Sequence, residues 1–393
     1  MHQLLSCMNG RVKVSGFNLY MRAFLDDPEF LSEMADSLVG HPEVERLVNH
    51  LSGVLYAMRA GQPVLFRQKA WGFLNLGSRT PIRAAAFALR VFEDAVGEDV
   101  ALIKAYGGFH DPVVKQGALG AIAYMGKFAN LQTQLLDAAI AIDAGGDPQV
   151  ASELADAFGP YGVPLTLLNS AQAAALASQF LPVKDWDSQQ QAIPRFLIKF
   201  VSLFPDETFE LLLNRIRVAE TARLHSNYSF HTFGFVHLGV SFEAVRAEKR
   251  LELAAKCIEL LVRAKSPVRD YAELFWTVGG YDQQTLDLII RTASNCDDVG
   301  IENVAQLIEK AIPHLAFTHT DFAKALIGAV SGADRQKIIE ALAHQARHHP
   351  GGGFYGDPSA FLAAQSEQFS KQTAELPEDP GLEDLTKMLR RLT

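Results

Sequence analysis

The chain has 393 residues, of which 48% are hydrophobic and 21% charged, and its formal net charge is −9. That apolar content supplies an extensive core and excludes wholesale disorder, while the acidic balance argues against a domain whose main task is to neutralise phosphates. Three cysteines, Cys7, Cys257 and Cys296, form no CxxC pair, which excludes a disulfide framework or a cysteine zinc site and suits a reducing compartment.

At roughly 150 residues per domain, the length predicts two or three domains or one repeat array. The start, Met1 to Val14, lacks the apolar stretch of a signal peptide, and no apolar run reaches the roughly 18 residues of a membrane helix. The expectation is a soluble, cytoplasmic protein that does not enter a membrane.

Helix starts punctuate the chain. Asp27-Pro28, Thr80-Pro81, Asp111-Pro112, Asp147-Pro148, Ser266-Pro267 and Asp357-Pro358 each place a capping side chain before a proline. Proline suits the first helical position, where its missing N–H would have no intrahelical partner, and the preceding side chain can accept from a free amide. Apolar residues then recur at helical spacing: Ile82, Ala85, Ala86, Leu89 and Phe92; Val114, Ala118, Ile122 and Met125; Leu251, Ala254, Ile258 and Leu261. Strand-like alternation is nearly absent, so the fold class is all-α. About twenty short helices fit the length, and hairpins stacked side by side scale to that number where a single bundle does not. Pro81 and Pro112 are 31 residues apart and Pro112 and Pro148 are 36 apart, close to a helical-hairpin period, and later spacings are irregular. The predicted architecture is a degenerate α-solenoid. Its blocks span residues 1–180 and 181–356, with an aromatic-rich insertion at 221–245 and capping helices at 357–393. Leu181 to Asp187 is the candidate linker, and Trp186 within it predicts a packed segment.

Thr80-Pro-Ile-Arg-Ala-Ala-Ala-Phe-Ala-Leu and Asp111-Pro-Val-Val-Lys-Gln-Gly-Ala-Leu-Gly-Ala-Ile resemble the second helix of a HEAT repeat. An aliphatic–basic pair, Ile82-Arg83 or Val114-Lys115, precedes small residues in both, and the copy at Asp147 lacks the basic residue. The second half carries, in order, Ser226-Asn-Tyr-Ser-Phe-His-Thr-Phe-Gly-Phe and an amphipathic helix from Ser241. Tyr271-Ala-Glu-Leu-Phe-Trp-Thr-Val-Gly-Gly, an Asp321-Phe322 helix and His348-His-Pro-Gly-Gly-Gly-Phe-Tyr-Gly-Asp-Pro-Ser follow. That order resembles the C-terminal helical arrays of bacterial STAND-type NTPases and related antiphage defence proteins. The resemblance implies a sensor or scaffold whose partner is an effector subunit or a foreign trigger protein. The NTPase module and effector of those proteins have no counterpart in this sequence.

Motifs for chemistry fail on context. Gly120 to Phe128 mimics a phosphate-binding loop, but five residues separate Gly120 from Gly126 where four are needed, and Phe128 stands where a hydroxyl must bind magnesium. Gly351 to Gly356 satisfies GxGxxG without a preceding strand, so a helix–helix connection is the simpler reading. His344 and His348 lie one helical turn apart, and His225, His231 and His237 lie near one another. Neither group has a complete ligand set in the sequence. No GxSxG elbow occurs, and the expectation is a non-enzymatic chain without cofactor or metal.

Binding candidates come from two irregular stretches. Tyr228, Phe230, Phe233, Phe235 and Phe242 crowd the first, flanked by Arg215, Arg217 and Arg223 before it and by Arg246, Lys249 and Arg250 after it. Phe354 and Tyr355 mark the second. The first stretch either folds back to plug a gap between repeats or offers its aromatics to a partner, since such side chains dominate interface hot spots. The basic flanks are either solvated helix faces or a rim that suits an acidic partner. The predicted partner-binding set is therefore Tyr228, Phe230, Phe233, Phe235, Arg246, Phe354 and Tyr355. Two alternatives stand beside it: a HEAT-like array binding nucleic acid, which a net charge of −9 disfavours, and a metal hydrolase built on His225 to His237.

Overall fold

The computed structural model describes residues 21–90, 95–183, 186, 192–225, 240–265, 268–347 and 358–392. Among these residues there are twenty α-helices and no strand, so the all-α class holds. None of the helices is long and apolar enough to cross a membrane. The chain divides into two compact units, Met1–Glu207 and Thr208–Thr393.

The first unit contains α1 (Pro28–Val39), α2 (Val48–Gly61), α3 (Pro63–Leu76), α4 (Arg79–Ala88), α5 (Gly97–Gly107), α6 (Pro112–Met125), α7 (Gln132–Ala141), α8 (Pro148–Ala157), α9 (Ser170–Ser178) and α10 (Ala192–Leu203). Three of the aspartate–proline starts are real caps. Asp27 accepts from the Phe30 amide at 2.9 Å, Asp111 from Val113 at 3.0 Å, and Asp147 from Gln149 at 2.9 Å. The Thr80-Pro81 start needs correction, because α4 begins two residues earlier, at Arg79 with Ser78 before it, and Pro81 lies within its first turn. A proline there removes no helical hydrogen bond, since the first amides have no intrahelical partner. Ser266-Pro267 and Asp357 lie outside the described residues, and α3 starts at Pro63 after a glutamine that makes no cap.

The helices of this unit pack as two rows. In one, α2, α4, α6, α8 and α10 follow one another; in the other, α3, α5, α7 and α9 do. Val114, Ala118, Ile122 and Met125 of α6 are fully buried, as the periodicity predicts, and each large side chain so buried contributes about 1.5–3 kcal/mol. Alanines between them let neighbouring helices approach closely. Towards the end of the unit the rings of Phe180, Phe196 and Phe200 pack in succession, the first pair tilted and the second stacked, with centroids 5.1 and 4.9 Å apart. Trp186 is buried beside them and donates its indole N–H to the Phe180 carbonyl at 3.0 Å, so this part of the candidate linker is packed.

The second unit begins in α11 (Pro205–His225) and continues with α12 (Ala247–Arg263), α13 (Val268–Gly279), α14 (Gln283–Ala293), α15 (Asp298–Glu309), α16 (Leu315–Thr318), α17 (Thr320–Ala329), α18 (Gly332–Arg347), α19 (Pro358–Glu375) and α20 (Glu383–Leu392). Here α12 and α13 pack against α15, α15 against α18, and α18 against α20, while α14 packs against α17. Two buried amides tie loops to helices. Asn303 donates to the carbonyls of Leu261 and Ala264, both at 2.9 Å, which closes the end of α12. Gln345 donates to Ala311 and Pro313 and accepts from the Leu315 amide, so the chain between α15 and α16 is held by one side chain of α18. Both amides satisfy backbone groups that would otherwise be buried without partners.

Tertiary side-chain bonds recur at one hairpin's separation. Arg67 to Asp99, Lys69 to Asp36, Gln116 to Gln149 and Arg250 to Asp282 join residues 32 or 33 apart. Trp276 to the Leu307 carbonyl and the Ile312 amide to the Tyr281 hydroxyl each span 31.

Candidate functional site

Of the predicted partner-binding residues, Arg246 is described. It sits exposed just before α12, where its carbonyl accepts from the Lys249 and Arg250 amides at 3.0 Å. Tyr228, Phe230, Phe233, Phe235, Phe354 and Tyr355 lie outside the described residues, as do His231, His237 and His348. Phe242, grouped with these aromatics by sequence, is fully buried and belongs to the core. Among the described residues the basic flanks form no continuous rim. Arg215 is buried, Lys249 pairs with Glu252, and Arg250 reaches Asp282 at the start of α14. Ion pairs within the unit thus engage Lys249 and Arg250.

The glycines of the phosphate-loop mimic have packing reasons. Gly120 lies in the middle of α6, and a Cβ there would overlap the Arg90 guanidinium, which passes over it to reach the Gln116 carbonyl at 3.1 Å and Glu153 at 2.7 Å. Gly126 ends α6 against the backbone of Gly162, leaving no room for any side chain. Burial pushes the Cys257 and Cys296 thiols up, opposite to what a nucleophilic cysteine requires. Among the described residues no group of three His, Cys, Asp or Glu side chains is placed to hold a metal.

The first surface with interaction character is the uncovered strip of the α2–α10 row. α2, α4 and α6 are each flanked by a helix on either side and backed by α3, α5 or α7, leaving one strip of each exposed. On it stand Tyr56 of α2, Phe87 of α4 and Tyr124 of α6, which are 43%, 40% and 48% exposed. The ammonium of Lys127 sits 4.3 Å from the centre of the Tyr124 ring. Ile198 of α10 is exposed as well. Polar links lock the strip: Arg90 bridges α4, α6 and α8, and Gln116 of α6 meets Gln149 of α8 at 3.2 Å. Burial pushes the Asp156 carboxyl of α8 up, and Arg195 of α10 opposes the shift.

At the edge of this strip Arg79 and Arg83 both reach the buried Asp111, each through Nε at 2.7 Å. Burial alone would push this carboxyl up, but the hydrogen bonds from Arg83, Arg79 and the Val113 amide outweigh it and hold it below the usual range. An unfolded aspartate titrates near pH 4, so the stability gained is fully present above that and is lost as pH falls through the lower folded value. Asp111→Asn is expected to cost about 1–2 kcal/mol at neutral pH and to lose less on acidification than the parent chain does. Urea midpoints at neutral pH and near pH 3 check both.

The second surface is an open groove of about 610 Å³ in the second unit, bounded by α15, α18 and α20. Its α15 wall carries Glu302, Gln306 and Glu309; Ala305, Ala341 and Met388 form its apolar lining. His344 of α18 faces Glu309 at 3.8 Å.

Neither surface was singled out by sequence. Phe87 lies off the Ile82–Leu89 apolar face and Tyr124 off the Val114–Met125 face, and an aromatic displaced from its own helix's apolar stripe was the available signal. Comparisons with protein-family models, curated proteins and solved structures return no match to this chain.

Proposed function

We propose that the chain is a non-enzymatic, protein-binding α-solenoid of HEAT-like hairpins, acting as a sensor or scaffold. The observation that carries this reading is the row of exposed rings, Tyr56, Phe87 and Tyr124, on three helices that pack in succession. Rigid aromatic side chains on a fixed scaffold lose little entropy on binding and supply most of the energy at protein interfaces. A row of helices presents such anchors at repeating intervals along an extended surface. The sequence resemblance supplies the setting, a bacterial defence or regulatory system, and the partner is then an effector subunit or a foreign trigger protein.

Affinity capture from the native host, with and without phage challenge, tests this. The parent chain is expected to bring down one protein in stoichiometric amount. Changing Tyr56, Phe87 and Tyr124 to alanine is expected to weaken that binding by about tenfold or more per ring, with the helical circular-dichroism signal intact. Recovery of the chain alone or with nucleic acid, or capture of the same partner undiminished by the triple variant, would overturn the reading.

A further inference from the structure

We propose that the groove between α15, α18 and α20 receives a short amphipathic helix of a partner protein, with lysine or arginine flanking its apolar face. The inference rests on the protein-binding reading above and deepens it by naming the chemistry of the partner.

Shape gives the first argument. Glu302, Ala305, Gln306 and Glu309 follow the i, i+3, i+4, i+7 pattern along α15, so one face of that helix forms a wall. The opposite wall on α18 runs from Lys337 to Arg347, ten residues later, a length of about 15 Å. The space between is an open trough as long as a helix of two to three turns rather than an enclosed chamber for a small molecule. Its lining explains why a helix fits. Ala305 and Ala341 leave room at the centre, and Met388 of α20 closes one side with a side chain that adapts to a partner's shape.

Charge selects the occupant. Glu302 and Glu309 stand on one wall and Glu340 on the other. Of the cations lining the trough, Lys337 is already paired with Asp334 at 3.2 Å, and Arg347 sits at the far end of α18. The trough therefore carries three carboxylates around an apolar floor, Glu302 and Glu309 at the ends of the α15 wall and Glu340 along the α18 wall. A basic helix meets that pattern, while an acidic helix or a nucleic-acid backbone would set its charges against carboxylates.

The test uses the full chain and a displayed library of helix-forming peptides randomised at every position. The enriched peptides are expected to carry net positive charge with aliphatic residues at i, i+3 or i+4, and i+7. Glu302→Lys combined with Glu340→Lys should weaken the best peptide by about tenfold or more, since both sites turn from attraction to repulsion. Ala305→Arg, which fills the trough, should block it as well. Both variants alter side chains at the surface, and unchanged melting curves confirm that they fold. Enrichment of acidic or patternless peptides, indifference of the best peptide to both variants, or no enrichment at all would overturn the assignment. Native-partner capture that depends on Tyr56, Phe87 and Tyr124 but not on the groove would leave the protein-binding reading standing and remove this one.

Discussion

Replacing Asp99 with alanine is expected to cost about 3–5 kcal/mol, because it leaves buried positive charge without its counter-ion. Asp99 stands in the first turn of α5 and is completely buried. Its carboxylate accepts two hydrogen bonds from Arg67 of α3, at 2.8 and 2.9 Å, and lies 3.4 Å from Arg59 of α2, itself only 3% exposed. It also accepts from the Val96 amide at 2.9 Å, which satisfies a free donor at the start of α5. One carboxylate thus joins three helices, α2, α3 and α5, and caps the start of α5. Forming such a cluster from solvated ions gains little, yet breaking it is expensive, since the arginines cannot regain water without moving their helices. Asp99→Asn keeps the shape and one acceptor, and its cost should fall between those of the parent and the alanine variant. Denaturant midpoints read the order directly. A loss below about 1 kcal/mol for Asp99→Ala would mean that Arg59 and Arg67 reach solvent freely and that the cluster holds nothing together.

Gly126→Ala is expected to destabilise by about 1–3 kcal/mol or more, the range for forcing atoms into a filled site. The new methyl would overlap the Gly162 backbone, and backbone on both sides leaves no rotamer change to relieve it. The turn at 159–163 would have to lift away, although it is held by the Gly162 amide to Gly159 and the Val163 amide to Ala157. Gly120→Ala provides the contrast. Its methyl meets the end of the Arg90 side chain, which can swing aside at the loss of its bonds to Glu153 and Gln116. The smaller cost of Gly120→Ala, read as a smaller drop in thermal midpoint, checks this explanation of the two glycines. Equal costs would show that the Gly162 backbone yields as readily as a side chain.

The sequence carried the local grammar of this fold and little of its long-range chemistry. Asp27, Asp111 and Asp147 were readable as caps because the cap and its amide lie two or three residues apart. The apolar stripe of α6 was readable because helical spacing brings Val114 to Met125 onto one face. The Arg59–Arg67–Asp99 cluster was not, since nothing local in a lone aspartate says that two arginines from preceding helices will close on it. The same holds for Asn303 and Gln345, which look like ordinary polar positions until the loops they satisfy are in place. Of the surfaces, sequence reasoning favoured aromatics crowded in irregular stretches. It passed over Phe87 and Tyr124, whose exposure depends on which sides of α4 and α6 their row neighbours cover.

The recurring bonds between residues 31 to 33 apart have a consequence for how the chain is made. Each link closes a loop of about one hairpin, and the entropy of such a closure grows only with the logarithm of the loop. Arg67 can find Asp99, and Gln116 can find Gln149, as soon as some 32 or 33 further residues have been synthesised. Among the described residues no strand must wait for a distant partner, so contact order there stays low as the chain lengthens. Successive hairpins of a unit can therefore dock while later ones are still unmade, and apolar faces such as that of α6 are covered in the order in which they emerge from the ribosome.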